Sequence, residues 1–183
     1  ERFKSKKKKK DKVIITHKHN TEISHLKSSY FFIRDLINMP PNMLGPQEIL
    51  EYSKKFLTKF KIENLVSGNK LKKNFPLIHA VGNGSDIANR PLFCELILKK
   101  KKTKRKIFLI GKGVSFDTGG LNIKTGSGMS LMKKDMGGAA NCIGLAKLIS
   151  DFNFDIDVRL LLCLVENSIS KKSMRPSDII RSK

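Results

Sequence analysis

The stretch Lys106–Ala140 constrains this chain more than any other. It opens with a short apolar run, Ile107–Ile110, bounded by a basic segment on one side and Gly111 on the other, as expected of a buried strand. Gly111-Lys112-Gly113 and Gly119-Gly120 then break the run into a loop, and Gly137-Gly138-Ala139-Ala140 opens an apolar helical pattern. Among the charged residues between strand and helix are Lys112, Asp117, Lys124 and Asp135. In an open α/β sheet ligands bind beyond the carboxyl ends of the strands, where these four residues fall.

Two readings fit the four residues. A glycine-flanked lysine with an aspartate nearby makes an ordinary turn with a surface ion pair. The other reading is a metal site. A carboxylate can bridge two cations, and a lysine beside a divalent ion loses its proton because the cation disfavours the ammonium, which turns Lys112 into a nitrogen ligand. Lys124 would stay charged and stabilise a developing oxyanion.

The remaining elements place this stretch in an α/β domain. Ile23, Leu26, Tyr30, Phe31, Ile33, Leu36 and Ile37 recur at helical spacing over 22–38, and Pro40-Pro41 ends that helix. Pro46 begins a second, at a first-turn position where its missing N–H is not needed. Strands are expected at 62–66 and 93–98, a short helix at 70–73, and a helix over 136–150 with Ile143, Leu145, Leu148 and Ile149 available for burial. Phe93–Leu98 and Ile107–Ile110 read as adjacent antiparallel strands joined by the lysine run. Val158–Val165 is almost continuously apolar, the signature of a central strand covered on both faces. Asp178-Ile179-Ile180 is expected to begin a last strand. The fold class is therefore α/β: a mixed, mostly parallel sheet with helices on both faces.

Charge and cysteine content bound the function classes. Thirty-seven Lys and Arg against 16 Asp and Glu give a net charge of +21, concentrated in the runs Lys4–Lys12 and Lys99–Lys106. Nucleic-acid binding is one reading of that charge. Against it, lysine outnumbers arginine and no aromatic residues interleave with the runs, whereas base reading favours arginine and stacking needs rings. Cys94, Cys142 and Cys163 have neither zinc-site nor redox spacing and sit among apolar residues, which is compatible with a reducing cytoplasmic setting. His17 and His19 form a lone H-x-H pair that fits a strand end or loop as well as a metal site. The glycine loops at 82–84 and 111–113 match neither the phosphate-binding nor the dinucleotide fingerprint.

The segment Gly-Lys-Gly-Val-Ser-Phe-Asp-Thr-Gly-Gly-Leu-Asn-Ile-Lys (111–124), followed by Met-Lys-Lys-Asp-Met-Gly-Gly-Ala-Ala (132–140), resembles the leucyl aminopeptidase family of the cytosol-aminopeptidase type. Asn38-Met39-Pro40-Pro41-Asn42 and Glu166-Asn167 match further segments of that family in order. The resemblance implies a metallo-aminopeptidase with two divalent ions, zinc or manganese, acting on the N-terminal residues of peptides as a homo-hexamer. It implies Lys112, Asp117 and Asp135 as metal ligands, Asp117 bridging both ions. Lys124 matches the catalytic lysine, and Met132 the lining of the pocket for the substrate's first side chain. It also divides the chain into a tail of the N-terminal domain or linker, 1–25, and the first half of the C-terminal catalytic domain, 26–183. The family's next motif, Asn-Thr-Asp-Ala-Glu-Gly-Arg, carries two more acidic ligands and an arginine, and the sequence stops before it. The chain also begins at Glu1 rather than methionine, so it is expected to be an internal piece, inactive by itself. The alternatives are a basic nucleic-acid-binding protein on the same fold and an inactive family member.

Overall fold

The computed structural model describes residues 20–100, 103–170 and 172–182. The His17/His19 pair, the run Lys4–Lys12 and part of the second lysine run lie outside them. The order of elements is α1 (Asn20–Asn38), α2 (Pro46–Phe56), β1 (Lys61–Ser67), α3 (Gly68–Asn74), α4 (Pro76–Gly82), β2 (Leu92–Leu98), β3 (Lys106–Asp117), α5 (Gly126–Met129), α6 (Gly137–Asp151) and β4 (Asp157–Asn167).

The four strands form one sheet in the order β1-β2-β4-β3. It is mixed, as expected, but not mostly parallel: among the described residues two of its three pairings are antiparallel. Pairing is antiparallel between β1 and β2 and between β2 and β4, and parallel between β3 and β4. The adjacency of β2 and β3 is not realised, because β4 lies between them. The basic connection of 99–105 is thus no hairpin: β3 runs parallel to β4 and antiparallel to β2 on the far side of it.

β3 is also much longer than its apolar run. It continues through Gly111, Lys112 and Gly113 to Asp117, held in register with β4 from Lys106↔Asp157 to Asp117↔Asn167. The two glycines do not break it. Gly111 is where the strand and α6 approach closely, since a Cβ there would lie 2.7 Å from Ala139 Cα, whereas a Cβ at Gly113 would strike β4, 2.4 Å from Leu164 Cδ2, and lie 3.5 Å from Ala139 Cβ. Glycine within a strand marks such an approach.

Helices flank both faces. On one, α6 packs through the small residues Ala139, Ala140, Gly144 and Ala146 together with Ile143 and Ile149, above Leu160, Leu162 and Leu164 of β4. Leu145, expected to be available for burial, is instead 46% exposed, because the small residues form the inward stripe. α1 crosses α6 at Gly144, whose Cβ would strike Ile33 Cδ1, and Ser29 Oγ donates to the Gly144 carbonyl. Only the second half of α1 reaches the core: Leu36 is buried, whereas Ile23, Leu26, Tyr30 and Phe31 are exposed. On the opposite face Phe75, between α3 and α4, stacks on Phe93 of β2 at 4.3 Å. Burial on both faces therefore belongs to β2, every residue of which is buried. The central strand β4 alternates, with Arg159, Leu161 and Cys163 only half-buried.

The segment at Asp178–Ile180 joins no strand among the described residues. The Asn42 side chain takes the partner's place, donating to the Ile179 carbonyl at 2.9 Å and accepting from the Ile179 N–H at 3.2 Å.

Candidate metal centre

The parallel ends of β3 and β4 build the site. The register slips between Val114 and Asp117, and beyond the slip Asp117 pairs with Asn167. A bulge of this kind re-aims the side chain that follows it. The chain then turns through Gly119 and Gly120, at φ +88° and +67°, and closes with the Lys124 N–H donating to the Thr118 carbonyl at 3.0 Å. A side chain at Gly119 would also meet the Asn122 carbonyl at 2.4 Å, so only glycine fits this turn. The turn brings Lys124 Nζ to 3.2 Å from Asp117 Oδ2.

Asp135 arrives from the other direction. It follows a short 3-10 turn, Met132–Lys134, and precedes α6. Gly138 in the first turn of α6 sits against the backbone of Lys112, 3.3 Å from its N and O measured from where a Cβ would be. The close approach leaves Asp135 within reach of the strand, and Lys112 Nζ lies 2.9 Å from Asp135 Oδ1. Each lysine singled out in the sequence thus meets one of the two aspartates. Met132 is half-buried, and its carbonyl accepts from the Asp135 N–H at 3.2 Å.

The two carboxylates differ in their surroundings. Burial alone would raise the pKa of Asp117. The Gly119 N–H, the Lys124 ammonium and the Asn167 amide outweigh that and hold the carboxyl below its ordinary value, as an anion at neutral pH. Asp135 Oδ1 has Lys112, but Asp135 Oδ2 is buried with no hydrogen-bond partner among the described residues. A buried carboxylate oxygen left bare is costly unless something positive occupies its lone pairs.

That orphaned oxygen, a pre-ionised Asp117 and a lysine 63% exposed to solvent fit a divalent cation. Hard carboxylate oxygens suit zinc, manganese or magnesium. The set is incomplete, however: no group of three or more His, Cys, Asp or Glu able to hold a metal occurs among the described residues. A cleft of about 570 Å³ lies elsewhere, lined by Asn42, Glu48, Asp86, Asn89, Arg175 and Asp178 among others.

One residue of the site escaped the sequence reading. Asn167 Nδ2 donates to Asp117 Oδ1 at 2.7 Å. Its signal lies in the Glu166-Asn167 pair that matches a family segment: a carboxamide closing a buried apolar strand is unusual enough to suggest a partner. Its neighbour Glu166 is 2% exposed and is held by Arg175 at 2.7 Å and by Asn89.

Known proteins resemble this chain over most of its length. The model of the cytosol aminopeptidase family, catalytic domain, matches residues 31–183. Probable cytosol aminopeptidases of Persephonella marina and Aquifex aeolicus are 38% and 37% identical over 162 and 155 residues, covering 86% and 83% of this chain. The chain spans about a third of each, 32% and 31%. Among solved structures, the Coxiella burnetii cytosol aminopeptidase superposes with a TM-score of 0.78 at 40% identity, over 87% of this chain and 35% of that one. The Trypanosoma brucei leucyl aminopeptidase in complex with bestatin gives 0.75 at 30% identity, over 86% and 30%. The bottromycin maturation enzyme BotP in complex with Mn gives 0.70 at 30%, over 80% and 32%.

Proposed function

Because the chain belongs to the cytosol aminopeptidase family, whose catalytic-domain model covers residues 31–183, we propose that the protein containing it is a dinuclear metal-dependent aminopeptidase that removes leucine-type N-terminal residues from peptides. The observation that carries this reading is the pairing of Lys112 with Asp135 and of Lys124 with Asp117 at the strand ends, with Asp135 Oδ2 left bare. We take residues 26–183 as the first half of the catalytic domain and 1–25 as a tail or linker, although α1 begins at Asn20 and runs across that boundary. The family is metal-dependent, and one neighbour was solved with Mn. Zinc or manganese, two ions per site and a homo-hexamer are our proposal. So is a cytoplasmic location, which the names of the relatives support. No helix among the described residues is long and apolar enough to cross a membrane.

In this reading Asp117, Asp135 through its bare Oδ2, and Lys112 as a nitrogen donor would hold the ions, with Asp117 shared between them. When bound, the ions lower the pKa of water and so supply a nucleophile near neutral pH. The rest falls to the side chains. Lys112 must release its proton from Nζ, and with it the ion pair to Asp135, since an ammonium has no lone pair to donate. Lys124, anchored beside Asp117, would present an N–H to the carbonyl oxygen as negative charge builds there. Met132 lines the pocket for the first side chain. Two carboxylates and one lysine are fewer donors than two ions need, since catalytic sites generally use about three protein ligands per ion. The remainder would come from an Asn-Thr-Asp-Ala-Glu-Gly-Arg motif downstream.

The test compares two variants of the full-length protein. Asp117→Ala should lose both ions and the hydrolysis of leucine p-nitroanilide. Lys124→Ala should keep its metal, measured by elemental analysis, and lose roughly 10²–10³ in turnover, the usual cost of one oxyanion donor. Near-normal turnover of Asp117→Ala with both metals retained would refute the assignment.

A further inference from the structure

We propose that Asn167 is a positioning residue for the Asp117 carboxylate, deciding which of its oxygens is left to face the metal ions. The inference rests on the metallopeptidase reading above. Asp117 Oδ1 receives two N–H groups, from Asn167 Nδ2 at 2.7 Å and from the Gly119 backbone at 3.0 Å, and Oδ2 receives only the Lys124 ammonium. Two donors in fixed positions define the rotation of a carboxylate about its last bond. They take up one oxygen's directional lone pairs and leave the other oxygen beside the Lys124 ammonium.

The Asn167 amide is itself well placed for this. Its residue is in register with Asp117, and its backbone carbonyl accepts from both Thr118 N at 3.0 Å and Thr118 Oγ1 at 2.9 Å. The ends of β3 and β4 are therefore tied together independently of the Asn167 side chain. Removing that side chain should leave the strand pairing intact and free the carboxylate to rotate. An amide suits the task because it donates without ionising, so it adds no charge to a site already holding two carboxylates. Groups that orient a metal ligand from behind in this way typically contribute 10–100-fold to metal affinity.

The experiment titrates full-length Asn167→Ala and Thr118→Val with Mn2+ alone by calorimetry, and measures kcat and KM for leucine p-nitroanilide at saturating Mn2+. Asn167→Ala should bind Mn2+ about 10–100-fold more weakly, with an unchanged melting profile before metal is added and an unchanged KM once the metal is saturating. Thr118→Val, which loses a bond between the strand ends but keeps the amide, should bind like wild type. Asn167→Leu, which preserves volume and backbone bonds, gives the same measurement if the alanine variant does not fold. Affinity within about threefold of wild type in a folded Asn167 variant overturns the proposal, because an orienting group of this kind should count for more. An equal loss in Thr118→Val also overturns it, since the effect would then belong to the strand ends. If Asp117→Ala abolishes binding while Asn167→Ala spares it, this inference alone falls. A wild-type protein that binds no Mn2+ removes the metallopeptidase reading and this one together.

Discussion

Gly111→Ala adds a single methyl group, and the structure gives that methyl no room. Its carbon would lie 2.7 Å from Ala139 Cα, 3.1 Å from Leu162 Cδ2 and 3.3 Å from Ala139 Cβ, whereas ordinary contact begins at 3.4 Å. The Gly111 backbone is outside the left-handed region, so the effect is one of packing alone. The nearest atom belongs to a helix backbone and cannot rotate away. α6 would have to retreat by roughly 0.7 Å, and interiors packed to crystal density transmit such shifts rather than absorb them. Retreat is opposed on the other side, where Ile33 of α1 fills the notch at Gly144. Overpacking of this kind costs about 1–3 kcal/mol, and the upper half of that range is expected here. Asp135 immediately precedes α6 and should move with it relative to Asp117, and a misplacement approaching 1 Å can cost about 10²-fold in rate. The assay is urea unfolding of the full-length variant, with kcat measured at saturating metal. Adding Ala139→Gly should not rescue it, because the clash is with Cα. A stability change under about 0.5 kcal/mol, the range of harmless surface substitutions, together with an unchanged kcat, would refute the reasoning. So would full rescue by Ala139→Gly.

Two further outcomes follow from buried groups. Arg175→Ala leaves Glu166, 2% exposed, with only the Asn89 amide, and should destabilise the protein by about 3–5 kcal/mol in denaturant titration, as expected when one partner of a buried pair is removed; a loss below about 1 kcal/mol would mean that water reaches Glu166. Burial pushes the Cys94 thiol up to about 12 from 9.0. The unfolded chain therefore gives up this proton first as pH rises, and the stability tied to the thiol is full below pH 9 and drains away between 9 and 12. Cys94→Ala should flatten that part of the pH–stability curve, and parallel curves for variant and wild type would contradict it.

The sequence disclosed the site's residues better than its scaffold. Lys112, Asp117, Lys124 and Asp135 were visible because charged residues among glycines at the end of an apolar run are conspicuous, and the strand ends do bring them together in pairs. The extent of β3 was hidden. Gly111 and Gly113 look like a strand break from local propensity, and only the helix pressed against them shows that they are needed for close approach. The order of strands was hidden too. A lysine-rich connection between two apolar runs suggests a hairpin, and nothing local to β2 or β3 announces that β4, some sixty residues later, will separate them. Ile179 illustrates a third limit: its sequence reads as a strand, but an asparagine 137 residues earlier satisfies its backbone. Asn167 lay in plain view, and its role depends on a register that no single strand encodes.

The placement of β4 has a consequence for how the protein is made. The sheet order β1-β2-β4-β3 puts the last strand of the four in the middle. As the polypeptide leaves the ribosome, β1 and β2 can pair at once, but β2 offers its other edge, and β3 one of its own, to a neighbour that has not been synthesised. Between Leu98 and Asp157 lie roughly sixty residues, which take about 3–12 s at 5–20 residues per second. The free edge of β2 waits open throughout that interval, and that of β3 for roughly its last forty residues, the condition in which nascent chains pair with the wrong partner. Completion of β4 closes both edges in one event and draws the ends of β3 and β4 together, so Asp117 and Asn167 should meet only when the sheet does. Birth order thus makes this half of the site appear all at once rather than by stages, and a chaperone that holds the emerging chain would have most to do just before residue 157.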